Sequence, residues 1–231
     1  MEPTMNEQRY DIYAYIHKGL RAYMSDVLAA AGRVDANDDE DMRQIAAAVR
    51  GLISICRSHL KHEDEHLHAA MQARRPGSAR QALADHAEHK EAFEHIEALL
   101  RELEAAQGPA RAAAARELYR TLALFVADNF EHMHLEETEN NAVLWATHTD
   151  DELRALERAI VASHTPEQIA LVLRWMVPSM APAERAALLG GMQQNASAEV
   201  FGGVLKIVKQ HLSARDWFKL MLALGPLPAS F

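Results

Sequence analysis

Apolar residues recur along the first two thirds of the chain at intervals of three and four, the spacing that turns one side of an α-helix toward a core. Tyr13, Ile16, Leu20, Met24 and Val27 share one face of a first helix, predicted from about Asn6 to Ala31 with Gly32 as its stop. Ile45, Val49, Leu52, Ile53 and Cys56 mark the inner face of a second, which follows the acidic capping run Asn37-Asp38-Asp39-Glu40 and ends before Pro76-Gly77. A third is predicted from about Ser78 to just before Gly108-Pro109, with Leu83, Phe93, Ile96 and Leu100 inward. The fourth opens near Pro109, a residue favoured in a first turn, and turns Leu118, Leu122 and Phe125 inward. No useful window alternates β-branched or aromatic residues with polar ones, so no strand is predicted. The expected fold is all-α, an up-down-up-down four-helix bundle over residues 8–146. Beyond Trp145 the pattern shortens, punctuated by Pro166, Pro178, Pro182 and Gly190-Gly191, and closes on the apolar segment Trp217-Phe218-Lys219-Leu220-Met221. Residues 147–231 are therefore expected to form a C-terminal helical subdomain, to which the pattern assigns no role.

Composition narrows the class. With 231 residues, 49% of them apolar and 25% charged, the chain has globular composition and enough length for a bundle core and a smaller unit. A net charge of −9 without a basic stripe argues against a nucleic-acid partner. No apolar run reaches the ~20 residues that span a bilayer, so no membrane partner is expected either. Cys56 is the only cysteine, which leaves no disulfide framework and no thiolate cluster and fits a reducing, cytoplasmic compartment. The start Met1-Glu2-Pro3-Thr4-Met5-Asn6-Glu7 is polar and acidic and does not read as a signal peptide.

The informative residues are polar ones on apolar faces. His17 sits within the stripe of the first helix. The inner face of the second continues onto His59 and Glu63, and that of the fourth onto His132 and Glu136, so the spacing His-x-x-x-Glu occurs twice. Residues four apart stack on one side of a helix, which brings imidazole and carboxylate together. An exposed pair of this kind is worth only about 0.3–0.5 kcal/mol as a salt bridge. Both pairs here lie on the apolar stripe, where an uncompensated polar group is costly. His86 and His89 fall on or near the inner line of the third helix. Six such groups, His17, His59, Glu63, His86, His132 and Glu136, are explained most simply as ligands of a shared transition-metal site. His62, His66, His68, His95 and His134 are read as solvated or as partners of ligands rather than as ligands. Asp85, Glu65 and Glu137 are placed to hold the second nitrogen of a ligand imidazole, and Tyr13, one turn before His17, to line a small-molecule pocket.

Four local words occur in order along residues 8–146: Ile16-His17-Lys18-Gly19-Leu20-Arg21, His59-Leu60-Lys61-His62-Glu63-Asp64, Asp85-His86-Ala87-Glu88-His89 and His132-Met133-His134-Leu135-Glu136-Glu137. Together they resemble the bacterial hemerythrin-like, or HHE cation-binding, family. The resemblance implies a non-haem centre of two iron ions, Fe2+/Fe3+, bridged by two carboxylates and an oxo or hydroxo group. It makes His17, His59, His86 and His132 terminal ligands and Glu63 and Glu136 bridges. His89 is a possible fifth histidine, but the oxygen carriers of the family space their two third-helix histidines by four residues, and His86 and His89 are three apart.

Other metal readings are weaker. Glu63-x-x-His66 and Glu131-x-x-His134 also match the ferritin-like spacing, but that architecture needs a glutamate from each of the other helices, and the first presents His17. Structural zinc sites prefer four ligands, often thiolates, and one cysteine does not supply them. The expectation is thus a hemerythrin-like di-iron protein that binds dioxygen, nitric oxide or peroxide, for sensing, detoxification or iron handling. No residue is assigned a catalytic role, and metal and gas binding is favoured over turnover. The alternative is a regulatory module with a structural metal, its C-terminal helices binding a protein partner or a second copy through Trp217 to Leu224.

Overall fold

A computed structural model describes residues 9–226, and every regular element among them is a helix. The N-terminal segment Met1–Glu7 and the expected helical start at Asn6 lie outside the described residues. The chain divides into two compact units, one of residues 9–14 and 24–163, the other of residues 15–23 and 164–226.

Helix α1 spans Ala14–Arg33, beginning eight residues later than the apolar pattern implies. The reason is tertiary. Residues 9–13 are drawn into polar bonds with a distant segment: the Arg9 guanidinium donates to the Trp145 and His148 carbonyls and to Asp150, and Trp145 Nε1 donates to the Tyr10 carbonyl. The Asp11 carboxylate then accepts the amides of Tyr13 and Ala14, satisfying donors that open the helix.

In the first unit, α2 (Asp39–His62) is capped by Asp38, whose side chain accepts the amides of Glu40 and Asp41. The helix does not end at His62 but loosens into a π-helical turn, Glu63–His68, before α3 (Ala69–Arg74). Gly77, at φ +85°, lets the chain reverse into α4 (Arg80–Ala105). Next comes α5 (Gly108–Leu135), with Pro109 in its first turn, and it too passes into a π-helical turn, Glu136–Asn140, before α6 (Asn141–Thr147) and α7 (Asp150–Ser163). Helix α4 packs along α5 and along α2. Val49, Leu52, Phe93, Ile96, Leu100, Leu118 and Leu122 are buried between them, each contributing about 1.5–3 kcal/mol of transfer free energy. Leu83, expected inward, is exposed; the inward line of α4 runs Ala82, His86, His89, Phe93, Ile96, Leu100, one residue earlier.

The second unit contains α8 (Pro166–Ser179), α9 (Pro182–Asn195), α10 (Ala198–His211) and α11 (Ala214–Leu224). Thr165 and Gln168 close a capping box at the start of α8. Leu173, Val177, Leu189, Phe201, Val208 and Leu220 form its core, with Trp217 packed against it. Residues 15–23 of α1 belong to this unit. Gly19 permits close approach there, since a Cβ would stand 2.8 Å from the Met176 backbone. Lys18 pairs with Glu184, and Tyr23 stacks on Trp175 with ring centroids 4.2 Å apart.

Candidate metal centre

The end of α2 places His59 one turn before Glu63, with His59 Nε2 3.1 Å from Glu63 Oε1. The other oxygen of the same carboxylate, Oε2, faces His86 Nε2 of α4 at 3.6 Å. One glutamate thus lies between imidazoles from two different helices. On α5 the second copy of the spacing puts His132 Nε2 3.4 Å from Glu136 Oε2. Side-chain exposures of 13% and 2% for the first pair, and 4% and 0% for the second, rule out exposed surface salt bridges. In both copies the glutamate opens a π-helical turn, an irregularity that frequently marks functional sites.

Ligand atoms of Glu63, His86, His132 and Glu136 all lie within 4.8 Å of one another, as do those of Asp64, His68 and His86. Two ligands about 2.1 Å from a common ion stand at most about 4.2 Å apart, so the spacing is of the right order for metal binding. The two groups share His86, and His17 is fully buried on α1 among the residues of the second unit.

The imidazoles of the first group are oriented by carboxylates outside it. His86 Nδ1 lies 2.7 Å from Asp64 Oδ1, and His132 Nδ1 lies 3.2 Å from Asp85 Oδ2. A carboxylate only accepts, so Nδ1 of each ring carries a proton and Nε2 is the nitrogen turned toward the other ring. The Nε2 atoms are 3.0 Å apart, within hydrogen-bond distance. A cation held between them would meet two imidazole nitrogens and the nearby carboxylates together. Imidazole nitrogen with carboxylate oxygen is also a donor set suited to iron, manganese or zinc. The residues therefore fit a metal. Burial first, then the neighbouring His132, holds His86 down to about 4, and burial with His132 and His86 does the same to His89, so both rings are neutral bases at neutral pH.

The Hemerythrin HHE cation binding domain model matches residues 9–144, more than half of the chain. The chain belongs to the hemerythrin HHE cation-binding family. No curated protein and no solved structure matches it. The matched segment contains every residue of the two groups, in a hemerythrin-like, all-helical setting.

Other residues singled out from the sequence take varied places around this hemerythrin-type site. Tyr13 is fully buried, and burial, then Glu136 and Glu63, raise its hydroxyl well above 10. Asp85 holds His132, whereas Glu137 offers its carbonyl to Asn141 and Glu65 lies on the surface beside Lys61. His89 is buried with its ring edge-on to His132 at 5.0 Å, and it joins none of the candidate metal groups. His95 and His134 are exposed. His68 is not solvated: it is 1% exposed, with Nδ1 3.1 Å from Asp64 Oδ1 and Nε2 3.5 Å from Glu136 Oε1. The linear pattern gave Asp64 no role and read His68 only as solvated or as a partner of a ligand. His68 lies five residues after Glu63, a spacing that shares a face only on a π-turn, and the available signal was the density of histidines and acids in Glu63-Asp64-Glu65-His66-Leu67-His68.

Proposed function

We propose that this site is a non-haem di-iron centre in an up-down-up-down four-helix bundle, and that it binds dioxygen, nitric oxide or peroxide in sensing, detoxification or iron handling. The observation that carries the reading is that the two oxygens of Glu63 are turned toward His59 and His86, while Glu136 joins Glu63, His86 and His132 in one candidate group. His17 and His59 would hold one iron and His86 and His132 the other, with Glu63, Glu136 and an oxo or hydroxo group as bridges. Such a pair supplies reversible one-electron changes at each metal and an open position for a small ligand. The residues do the rest. Asp64 and Asp85 keep the protons of His86 and His132 on Nδ1, so that Nε2 of each ring is the nitrogen offered to a metal. Helices packed on all sides exclude bulk water from the carboxylates, which strengthens their hold on a cation. The Tyr13 hydroxyl retains its proton at any physiological pH and can donate a hydrogen bond toward the glutamates.

Metal content and the ultraviolet–visible spectrum of aerobically purified protein test this. The expected result is near two irons per chain and charge-transfer absorption that shifts on adding azide. Less than a tenth of an equivalent of iron after anaerobic ferrous reconstitution would refute it.

A second reading has its own observation. On α11, Phe218 and Leu222 are 62% and 68% exposed while Leu220 is buried, so the helix turns an apolar edge outward. This favours a regulatory module whose C-terminal helices bind a partner or a second copy around a structural metal. In that case azide leaves the spectrum unchanged, while chelation melts the fold.

A further inference from the structure

The two His-x-x-x-Glu pairs continue along their helices at the same spacing but with different chemistry. On the first line His59 and Glu63 are followed by Leu67 and Met71; on the second, His132 and Glu136 are followed by Asn140 and Leu144. Residues four apart stay on one side of a helix at α-helical pitch, and the slower rotation of a π-turn keeps them there. All of these but His59 are buried. The layer beyond the glutamates is otherwise apolar, since Leu67, Met71 and Leu144 belong with Tyr13 to one buried cluster. Asn140 stands on its helix between Glu136 and Leu144, where the carboxylates give way to that cluster.

An amide in such a place is costly unless its donors are met. Asn140 is 3% exposed, and its Nδ2 makes no hydrogen bond among the described residues. Asn141 beside it differs: its Nδ2 donates to Asp11 Oδ1 at 2.9 Å and to the Glu137 carbonyl at 3.2 Å, which accounts for its burial. The Tyr13 hydroxyl, raised by burial and then by Glu136 and Glu63, is lowered in turn by the Asn140 amide. An amide nitrogen carries two hydrogens, so even a phenol oxygen that takes one leaves a donor over. A buried donor without an acceptor is rare in folded proteins and calls for a partner. Leu67, at the matching position of the other helix, indicates that packing alone does not demand an amide here.

We propose that Asn140 determines which small ligands the centre accepts: its Nδ2 donates a hydrogen bond to the part of a bound anion that points away from the metal, so hydrogen-bond-accepting anions of the peroxide and azide class are held in preference to dioxygen and nitric oxide. The inference rests on the metal-centre reading above and narrows its choice of ligand. Uncharged diatomic molecules are weak acceptors and gain little from the amide, whereas an anion gives an unmet donor a charge-assisted bond. The preference is one-sided, because Leu67 offers no donor from the other helix.

Azide titration of the oxidised, iron-loaded full chain, followed by its visible absorption, tests this beside nitric oxide binding to the reduced form. Asn140→Leu, which copies the Leu67 side, should raise the azide dissociation constant at least about tenfold, the usual effect of losing a hydrogen bond to a charged group, and leave nitric oxide affinity within about twofold. The metal-free proteins supply a second readout that needs no ligand. There Asn140→Leu should melt at or above the parent temperature, since a buried unmet donor is removed. Asn140→Ala serves the same comparisons if leucine does not fit. Parental azide affinity in the variant, equal weakening of azide and nitric oxide, or a lower melting temperature in both metal-free variants overturns the inference and leaves the metal-centre reading standing. A parent that takes up iron but binds no azide does the same. A parent that takes up no iron overturns that reading and this inference together.

Discussion

Single side chains in this site do their work through the atoms next to them. Asp85 is partly exposed and touches no other candidate ligand, yet it fixes which nitrogen of His132 carries the proton. Replacing it with alanine should leave the helical content unchanged and weaken metal binding about 10- to 100-fold, as measured by competition with a chelator. Wild-type affinity in that variant would show that packing alone orients His132. Cys56 shows the opposite dependence on surroundings. It is buried, and burial, then the nearby Glu63 carboxylate, pushes its thiol up to about 12. The thiolate is the reactive form, so the folded protein should resist alkylation at neutral pH, with labelling that follows unfolding in denaturant. Rapid labelling without denaturant would mean that the inner face of α2 opens locally. At this scale the sequence was legible where chemistry and helical spacing agree, as for His59, Glu63, His132 and Glu136. It was illegible for Asp64 and His68, because the partner of each is set by a change of helical pitch and by a neighbouring helix.

The recurring element is a straight α-helix that widens into a π-turn at the glutamate of a His-x-x-x-Glu pair. The two turns differ at their fifth following position, which is His68 in the first and Asn141 in the second. Asn141 is fully buried and donates to Asp11, so the second turn ties the entry of α1 to the segment that ends the matched region, while the first turns a ring toward the centre. Deleting Glu65, an exposed residue within the first turn, would remove the extra residue and bring His68 to the fourth position after Glu63, the same side of an ordinary α-helix. The buried side chains of Leu67, His68 and Met71 would keep their seats. Denaturant unfolding should show a change within about 1 kcal/mol, with metal binding retained. A loss of about 2–5 kcal/mol, the usual cost of unseating a large core side chain, would show that the π-turn itself sets the register that follows. Element identities were plain from spacing, and Pro76-Gly77 and Gly108-Pro109 bounded them well. The late start of α1 was not plain, since it follows from Arg9 bonds to residues about 140 positions away.

For the molecule as a whole, burial of so many histidines makes stability depend on pH and on metal. In the metal-free protein His86 and His89 are held at about 4, whereas the unfolded chain titrates them near ~6.5. As pH falls below ~6.5 the unfolded state takes up protons first, so stability is lost progressively until about pH 4. His68 has the opposite sign. Burial lowers its pKa, but Glu136, Glu63 and Asp64 together outweigh burial and raise it, so its contribution is present below ~6.5 and lost as pH rises through the folded value. The melting temperature of the metal-free protein should therefore peak near pH ~6.5 and fall on either side. A steady rise from acid to alkaline pH would contradict this balance. What the sequence determined by itself was the helical class, the hemerythrin HHE family and the stacking of imidazole over carboxylate within single helices, because these depend on residue type and on separations of three and four. What only the tertiary structure decided was which faces meet. Residues far apart in the chain, Asp64 with His86 and Asp85 with His132, are joined by helix packing, and His68 is turned inward by a local pitch that linear periodicity does not encode.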